Sequence, residues 1–224
     1  MEWKKGSHVL LEANPDYHRG RPYLDKIIIR NMQDQAVIQA AFEAKELNHV
    51  RQIPLGEWER VSKIKGIRVE FETGFIPTWL GFNLRRKPLD NVRVREALSM
   101  LVDKKDISRR VYYGFSPPCN GTFMSTSWAY NPNVKLPAHD PASAEKLLDE
   151  LGFPKKADGT RFSIGITTEF AWGFPGVCDV LKENFRKAGI DLKIELMEWG
   201  AITEKVLNKF DFDLCILGGT HGPD

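Results

Sequence analysis

Three cysteines and five histidines are the side chains of this 224-residue sequence best suited to covalent or metal chemistry, and their spacing organises neither. Cys119, Cys178 and Cys215 are odd in number and widely separated, so they form neither a metal-ligand pair nor a disulfide framework. His8, His18, His49, His139 and His221 show no ligand spacing with one another or with the cysteines. No GxxxxGK phosphate loop, GxGxxG turn, GxSxG elbow or HExxH pair occurs, so neither a cofactor nor a metal is expected. Cys178 and Cys215 stand in apolar company and read as small buried hydrophobes. Cys119, in the loop Pro117-Pro118-Cys119-Asn120-Gly121, lacks the cationic or helix-terminal setting that a reactive thiolate needs. A small hydrolase or transferase using Cys119 or His221 is the enzymatic alternative.

A second set of residues suits recognition without bond chemistry. Phe170 and Trp172, Trp199, and the glycine-rich run Gly218-Gly219-Thr220-His221-Gly222 each follow an apolar strand pattern. Aromatic side chains give an apolar surface on which varied groups can lie, and the backbone of a glycine loop can approach and pair with a peptide main chain. For Trp172 and Trp199 core packing is the alternative role, and for Gly219 a tight turn. Candidate ligand-binding residues are therefore Phe170, Trp172, Trp199, Gly219, Thr220 and His221.

The elements that must position them are the most regular part of the chain. Phe162, Ile164 and Ile166 alternate as a strand, and Val177, Val180, Leu181 and Phe185 repeat at helical spacing before Gly189. Ile190, Leu192, Ile194 and Leu196 alternate again, a helix with Ile202 and Val206 follows, and Phe212 to Leu217 closes a β-α-β-α-β run. Such units place helices on the faces of a parallel sheet, with ligands beyond the carboxyl ends of the strands. The loops at that end are 167–175, 197–200 and 218–224.

Upstream, Asp140-Pro141 starts a helix with Ala144, Leu147, Leu148 and Leu151 on one face. Asp103 caps a helix carrying Ile107 and Val111, and Asp90 or Asn91 caps one carrying Val94, Ala97, Leu98, Leu101 and Val102. Between them, residues 114–138 form a long loop studded with Phe115, Phe123, Trp128 and Tyr130, a pattern of packing or ligand contact. The N-terminal part opens with strands over residues 8–13 and 23–30 around an Asn14-Pro15 turn, then an Asp34-capped helix with Val37, Ala40, Ala41, Ala44 and Leu47. A short helix over 55–63 and strands over 67–71 and 78–83 follow.

Apolar content of 42%, charged content of 28% and a net charge of +2 describe an ordinary globular chain, and nucleic acid is not an expected partner. No apolar run approaches the roughly 20 residues that span a bilayer. The opening Met1-Glu2-Trp3-Lys4-Lys5-Gly6 has no apolar core of an export signal.

Three runs resemble the family 5 solute-binding proteins, the peptide, dipeptide and nickel receptors that feed ABC importers. They are Phe82-Asn83 leading to Pro88-Leu89-Asp90-Asn91-Val92-Arg93-Val94-Arg95-Glu96-Ala97-Leu98; Trp3, Lys5-Gly6, Leu11-Glu12, Asn14-Pro15 and Leu24-Asp25-Lys26-Ile27; and Asp140-Pro141 with Leu147-Leu148 and Gly152-Phe153. The resemblance implies a type II periplasmic-binding-protein-like α/β fold with a mixed sheet and two lobes, residues 1–82 belonging to the first and 83–224 to the second. It implies that Trp199, after Met197-Glu198, lines side-chain pockets. It further implies an extracytoplasmic, periplasmic component that holds an oligopeptide or other small solute in a cleft between lobes, closes by hinge motion and docks on the membrane permease.

The sequence also departs from the pattern. Lys45-Glu46-Leu47-Asn48 replaces a Gly-Glu-hydrophobic-Asp run, Gly219 stands at an aromatic position, and Gly222 stands where an aspartate holds a peptide's free amine. Without that partner a cationic ligand group forgoes a charge-assisted bond of roughly 1.5–3 kcal/mol, which leaves a non-peptide or differently anchored ligand open. Family members are more than twice as long, so the chain is expected to be a fragment with both lobes incomplete. Self-association through uncovered apolar faces is then expected, and a non-binding remnant is the other reading.

Overall fold

The computed structural model describes residues 1–71 and 77–219, and the chain divides into two compact units, Met1–Glu70 and Phe71–Asp224. In the first unit β1 (Glu2–Lys4), β2 (His8–Glu12) and β3 (Lys26–Arg30) form an antiparallel sheet in the order β1-β2-β3. Its register sets Val9 opposite Ile29 and Leu11 opposite Ile27. Helix α1 (Gln35–Glu43) begins at Asp34, whose carboxylate accepts from the backbone N–H groups of Ala36 (2.8 Å) and Val37 (3.0 Å), as an N-cap should. The helical face expected to reach Leu47 stops earlier, because Lys45 turns left-handed at φ 63°. A 3₁₀ turn (Leu55–Glu57) runs into α2 (Trp58–Val61), tied back to α1 by Arg60, which donates to Glu43 at 2.6 Å and to Glu57 at 2.7 Å.

The strand expected over residues 67–71 is absent. The chain turns at Gly66 (φ 86°), the Ile67 N–H bonds back to the Ile64 carbonyl, and among the described residues no neighbouring strand supplies a ladder for the alternation Ile67, Val69, Phe71. Among the described residues of this unit only Val61 is fully buried, and Ile27, Ile28 and Ile29 of β3 all stay exposed.

The second unit is built on a four-stranded mixed sheet in the order β4-β7-β5-β6. Its strands are β4 (Thr78–Phe82), β5 (Phe162–Glu169), β6 (Ile190–Met197) and β7 (Leu214–Gly218), with β5, β6 and β7 parallel and β4 antiparallel to β7. The two units part before β4, since β4 takes its hydrogen-bonding partner from β7. The helices are α3 (Val92–Met100), α4 (Lys104–Tyr112), α5 (Pro141–Glu150), α6 (Phe174–Lys187) and α7 (Trp199–Ile202), the last continued by a π-helical turn, Thr203–Asn208. Asn91, Asp103 and Asp140 cap α3, α4 and α5 through their side-chain oxygens.

Strand β7 shows why its apolar run is unbroken. Leu214 and Ile216 face a core shared with α3, α5 and α6, while Cys215 and Leu217 face a second cluster with Ile202 and Val206. Alternate side chains thus bury on both faces of the sheet. Arg161, its side chain 2% exposed, stitches the α5–β5 corner by ion pairs with Asp149 and Glu145 (3.3 Å) and by donating to the carbonyls of Phe153 (2.6 Å) and Ala188 (2.8 Å). At the exit of β4, buried Asn83 donates its amide to the carbonyls of Phe210 (2.8 Å) and Phe212 (2.7 Å). Arg86 pairs with Asp211 and Asp213, so the start of β7 is pinned to the end of β4.

Candidate functional site

The carboxyl ends of β5, β6 and β7 are Glu169, Met197 and Gly218, and parallel pairing of β5 with β6 sets Glu169 opposite Met197. Beyond β5 the chain passes Phe170 and Ala171 into Trp172 and Gly173, both left-handed at φ 59° and 77°. That conformation is uncommon for a bulky residue and costs of order 1–3 kcal/mol unless its surroundings impose it. Tyr112, at the end of α4, supplies one restraint: its hydroxyl donates to the Trp172 carbonyl at 3.2 Å. A side chain at Gly173 would press on Val111 (3.1 Å) and Tyr112 (3.3 Å), so glycine permits both the turn and the close approach of α4 to α6. Burial pushes the Tyr112 phenol up, offset in part by a hydrogen bond with Thr78.

Trp172 is left 49% exposed and Phe170 60% exposed. Phe170 borders an open recess of about 480 Å³ with Arg110, Val111, Tyr113 and Gly173. Beyond β6, Glu198 precedes α7, and Trp199, 51% exposed, opens that helix. Thr203 donates to the Trp199 carbonyl at 3.0 Å, fixing the backbone beneath the ring. Glu169 is pushed up, first by burial and then by the charge of Glu198, so this end of the sheet carries two mutually repelling carboxylates.

Beyond β7, Gly219 lies against a residue that the strand pattern alone did not single out. A Cβ at Gly219 would sit 2.5 Å from the Trp79 ring, whose strand pairs Trp79 with Leu217. The indole of β4 fills the space beside Gly219. Thr220 and His221 lie outside the described residues. The three aromatics therefore sit on consecutive strand ends with exposed rings, and none of the three stacks on another among the described residues. Trp79 and Tyr112, which sequence reasoning missed, hold the flanking backbone; an indole at the start of β4 was the available signal.

The thiols divide by environment. Burial pushes Cys178 up to about 12 and Cys215 up to about 11, while Cys119 is half-buried, its Sγ 3.1 Å from the Gly121 carbonyl and 3.2 Å from that of Phe123. Those contacts suit a protonated thiol as donor and give no cation to a thiolate. Among the described residues no group of three or more His, Cys, Asp or Glu is arranged to hold a metal ion, and no helix is long and apolar enough to cross a membrane.

Residues 1–224 match the family described as bacterial extracellular solute-binding proteins, family 5, middle region. The chain is 26% identical over 228 residues to the oligopeptide-binding protein AppA of Bacillus subtilis (strain 168), covering 97% of this chain and 42% of that protein. Among solved structures, DppA from Helicobacter pylori in complex with the peptide STSA superposes with a TM-score of 0.83 at 28% identity, over 99% of this chain and 42% of that one. NikA from Brucella suis in complex with Fe(III)-EDTA superposes with a TM-score of 0.88 at 25% identity, over 100% and 47%. The chain thus spans less than half the length of these relatives, and it belongs to the bacterial extracellular solute-binding proteins of family 5.

Proposed function

We propose that the chain is part of the extracytoplasmic receptor of an ABC importer, and that it holds a peptide or related small solute against the strand-end surface of its second unit. The observation that carries this reading is the set of exposed rings, Phe170, Trp172 and Trp199, at the carboxyl ends of adjacent parallel strands in a chain matched throughout by this family. Open α/β sheets bind ligands at that end, and rigid aromatic rings contribute contact area at small entropic cost. The two units, Met1–Glu70 and Phe71–Asp224, serve as parts of the two lobes, and the ligand is released to a membrane permease after hinge opening. Function then lies in binding energy, with no nucleophile or general base needed.

Relatives named for peptides and one solved with a metal chelate share the fold, so the ligand class is decided by the side chains at the strand ends. Titration with a mixed di- to tetrapeptide library, read by tryptophan fluorescence and by mass analysis of the retained species, tests the reading. Trp199→Ala and Trp172→Ala should each weaken retention about 10- to 100-fold, the loss of roughly 1.4–2.8 kcal/mol of contact. Retention unchanged in both variants would place the ligand elsewhere.

A further inference from the structure

Beneath the long loop of the second unit lies a cavity of about 640 Å³ that is not part of the strand-end surface. Its size falls within the roughly 300–1,000 Å³ typical of small-molecule sites. It is built by β4, the end of α3, α4, the loops 116–124 and 134–137, α6 and Ile216 of β7. Most of the wall is apolar, with Trp79, Ile107, Met124, Leu136, Val177 and Leu181 spread around it.

The polar part of the wall is one-sided in charge. Among the described residues no carboxylate lines the cavity, whereas Lys104 does. Ser108 is occupied in donating to the Ser116 carbonyl (2.6 Å), and Tyr112 in donating to that of Trp172. Lys104, Ser99 and Thr122 have no side-chain hydrogen bond or ion pair among the described residues. Lys104's acidic neighbours are otherwise engaged: Asp103 caps α4 and pairs with His139, and Asp106 pairs with Arg109 and Arg110.

We propose that this cavity is a binding site for an amphipathic carboxylate, an unbranched or ring-bearing apolar body ending in one anionic group. The apolar wall takes the body by displacing water, and Lys104 with the Ser99 and Thr122 hydroxyls takes the carboxylate through charge-assisted hydrogen bonds. A cationic or zwitterionic ligand would leave its positive group without a partner among the described residues of this wall. The site is separate from peptide retention at the strand ends, so each is tested without the other.

Cys119 lines the cavity and serves as a built-in reporter, while the buried Cys178 and Cys215 report unfolding. The experiment follows alkylation of each thiol by N-ethylmaleimide, using the whole chain with dodecanoate below its micellar concentration, dodecanol and dodecyltrimethylammonium. Dodecanoate should slow Cys119 alkylation at least fivefold at concentrations where the other two do so weakly. Lys104→Gln should reduce the apparent affinity for dodecanoate about 5- to 20-fold and leave that for dodecanol unchanged. Equal protection by all three compounds, or none by dodecanoate, would overturn the proposal. If Lys104→Gln exposes Cys178 to alkylation and so fails to fold, the ranking of the three compounds on the unaltered chain decides the matter.

Discussion

The ring of Trp79 lies 2.5 Å from where a Cβ on Gly219 would sit. Strand β4 thereby places an indole against the backbone that leaves β7, and the two residues must change together. Gly219→Ala forces the ring outward, a movement open to it because Trp79 is 38% exposed. The substitution should cost about 1 kcal/mol as a mild overpacking, with a red shift of tryptophan emission. Adding Trp79→Ala should restore freedom at position 219 and make the pair non-additive by a similar amount in denaturant unfolding. Simple additivity would contradict the contact.

Asn83 supports the same corner from the other end. Its amide satisfies the Phe210 and Phe212 carbonyls, and its Oδ1 accepts from the Arg85 N–H at 3.1 Å. Asn83→Ala should therefore destabilise the second unit by about 2–4 kcal/mol, since two carbonyls lose their donor. Asn83→Asp should do at least as much harm, because a carboxylate would face both carbonyls. Urea unfolding that shifts by less than about 0.5 kcal/mol would show that the corner is held elsewhere.

Electrostatics predict a specific acid limb. Glu183 on α6 is held down from 4.5 to about 2, first by Lys187 (2.8 Å) and then by Arg110 (2.9 Å), which joins α4 to α6. A depressed carboxylate contributes stability that is fully present above its ordinary value and is lost as pH falls through the folded one. The α4–α6 contact should thus weaken between pH about 4.5 and about 2, and raised salt should shrink the effect because the pair is exposed. A carboxyl NMR titration should find Glu183 near 2, and Glu183→Gln should flatten that part of the stability profile. Titration of Glu183 at an ordinary value would contradict the pairing.

The first unit predicts self-association. Among the described residues β3 is an edge strand with Ile27, Ile28 and Ile29 exposed, and the unit buries only Val61. Edge strands with apolar side chains pair readily with other chains. Sedimentation velocity should show the weight-average mass rising with concentration, and Ile28→Lys should suppress the rise. A monomer at every concentration would argue against an uncovered apolar edge.

Much of this arrangement was legible in the sequence because it is local. The caps at Asp34, Asp103 and Asp140 act within three residues of themselves, and the alternations of β5 and β6 follow from burial of one face after the other. Residues 67–71 alternate in the same manner yet form no strand, since alternation states a preference that only a partner can realise. The Trp79–Gly219 contact and the Lys104 cavity were not legible, as each depends on antiparallel entry of β4 beside β7. Trp172 and Trp199 could be placed at strand ends from sequence, but their exposure needed the Tyr112 and Thr203 hydrogen bonds to be seen.

The central claim is that this chain holds a solute at the ends of β5 and β6, and native mass spectrometry of gently purified protein tests it most directly. The account predicts co-purified small molecules, spaced by amino-acid residue masses for a peptide ligand, that disappear in the Trp172→Ala, Trp199→Ala double variant. A chain that emerges bare, and stays bare after incubation with the peptide library, would contradict it.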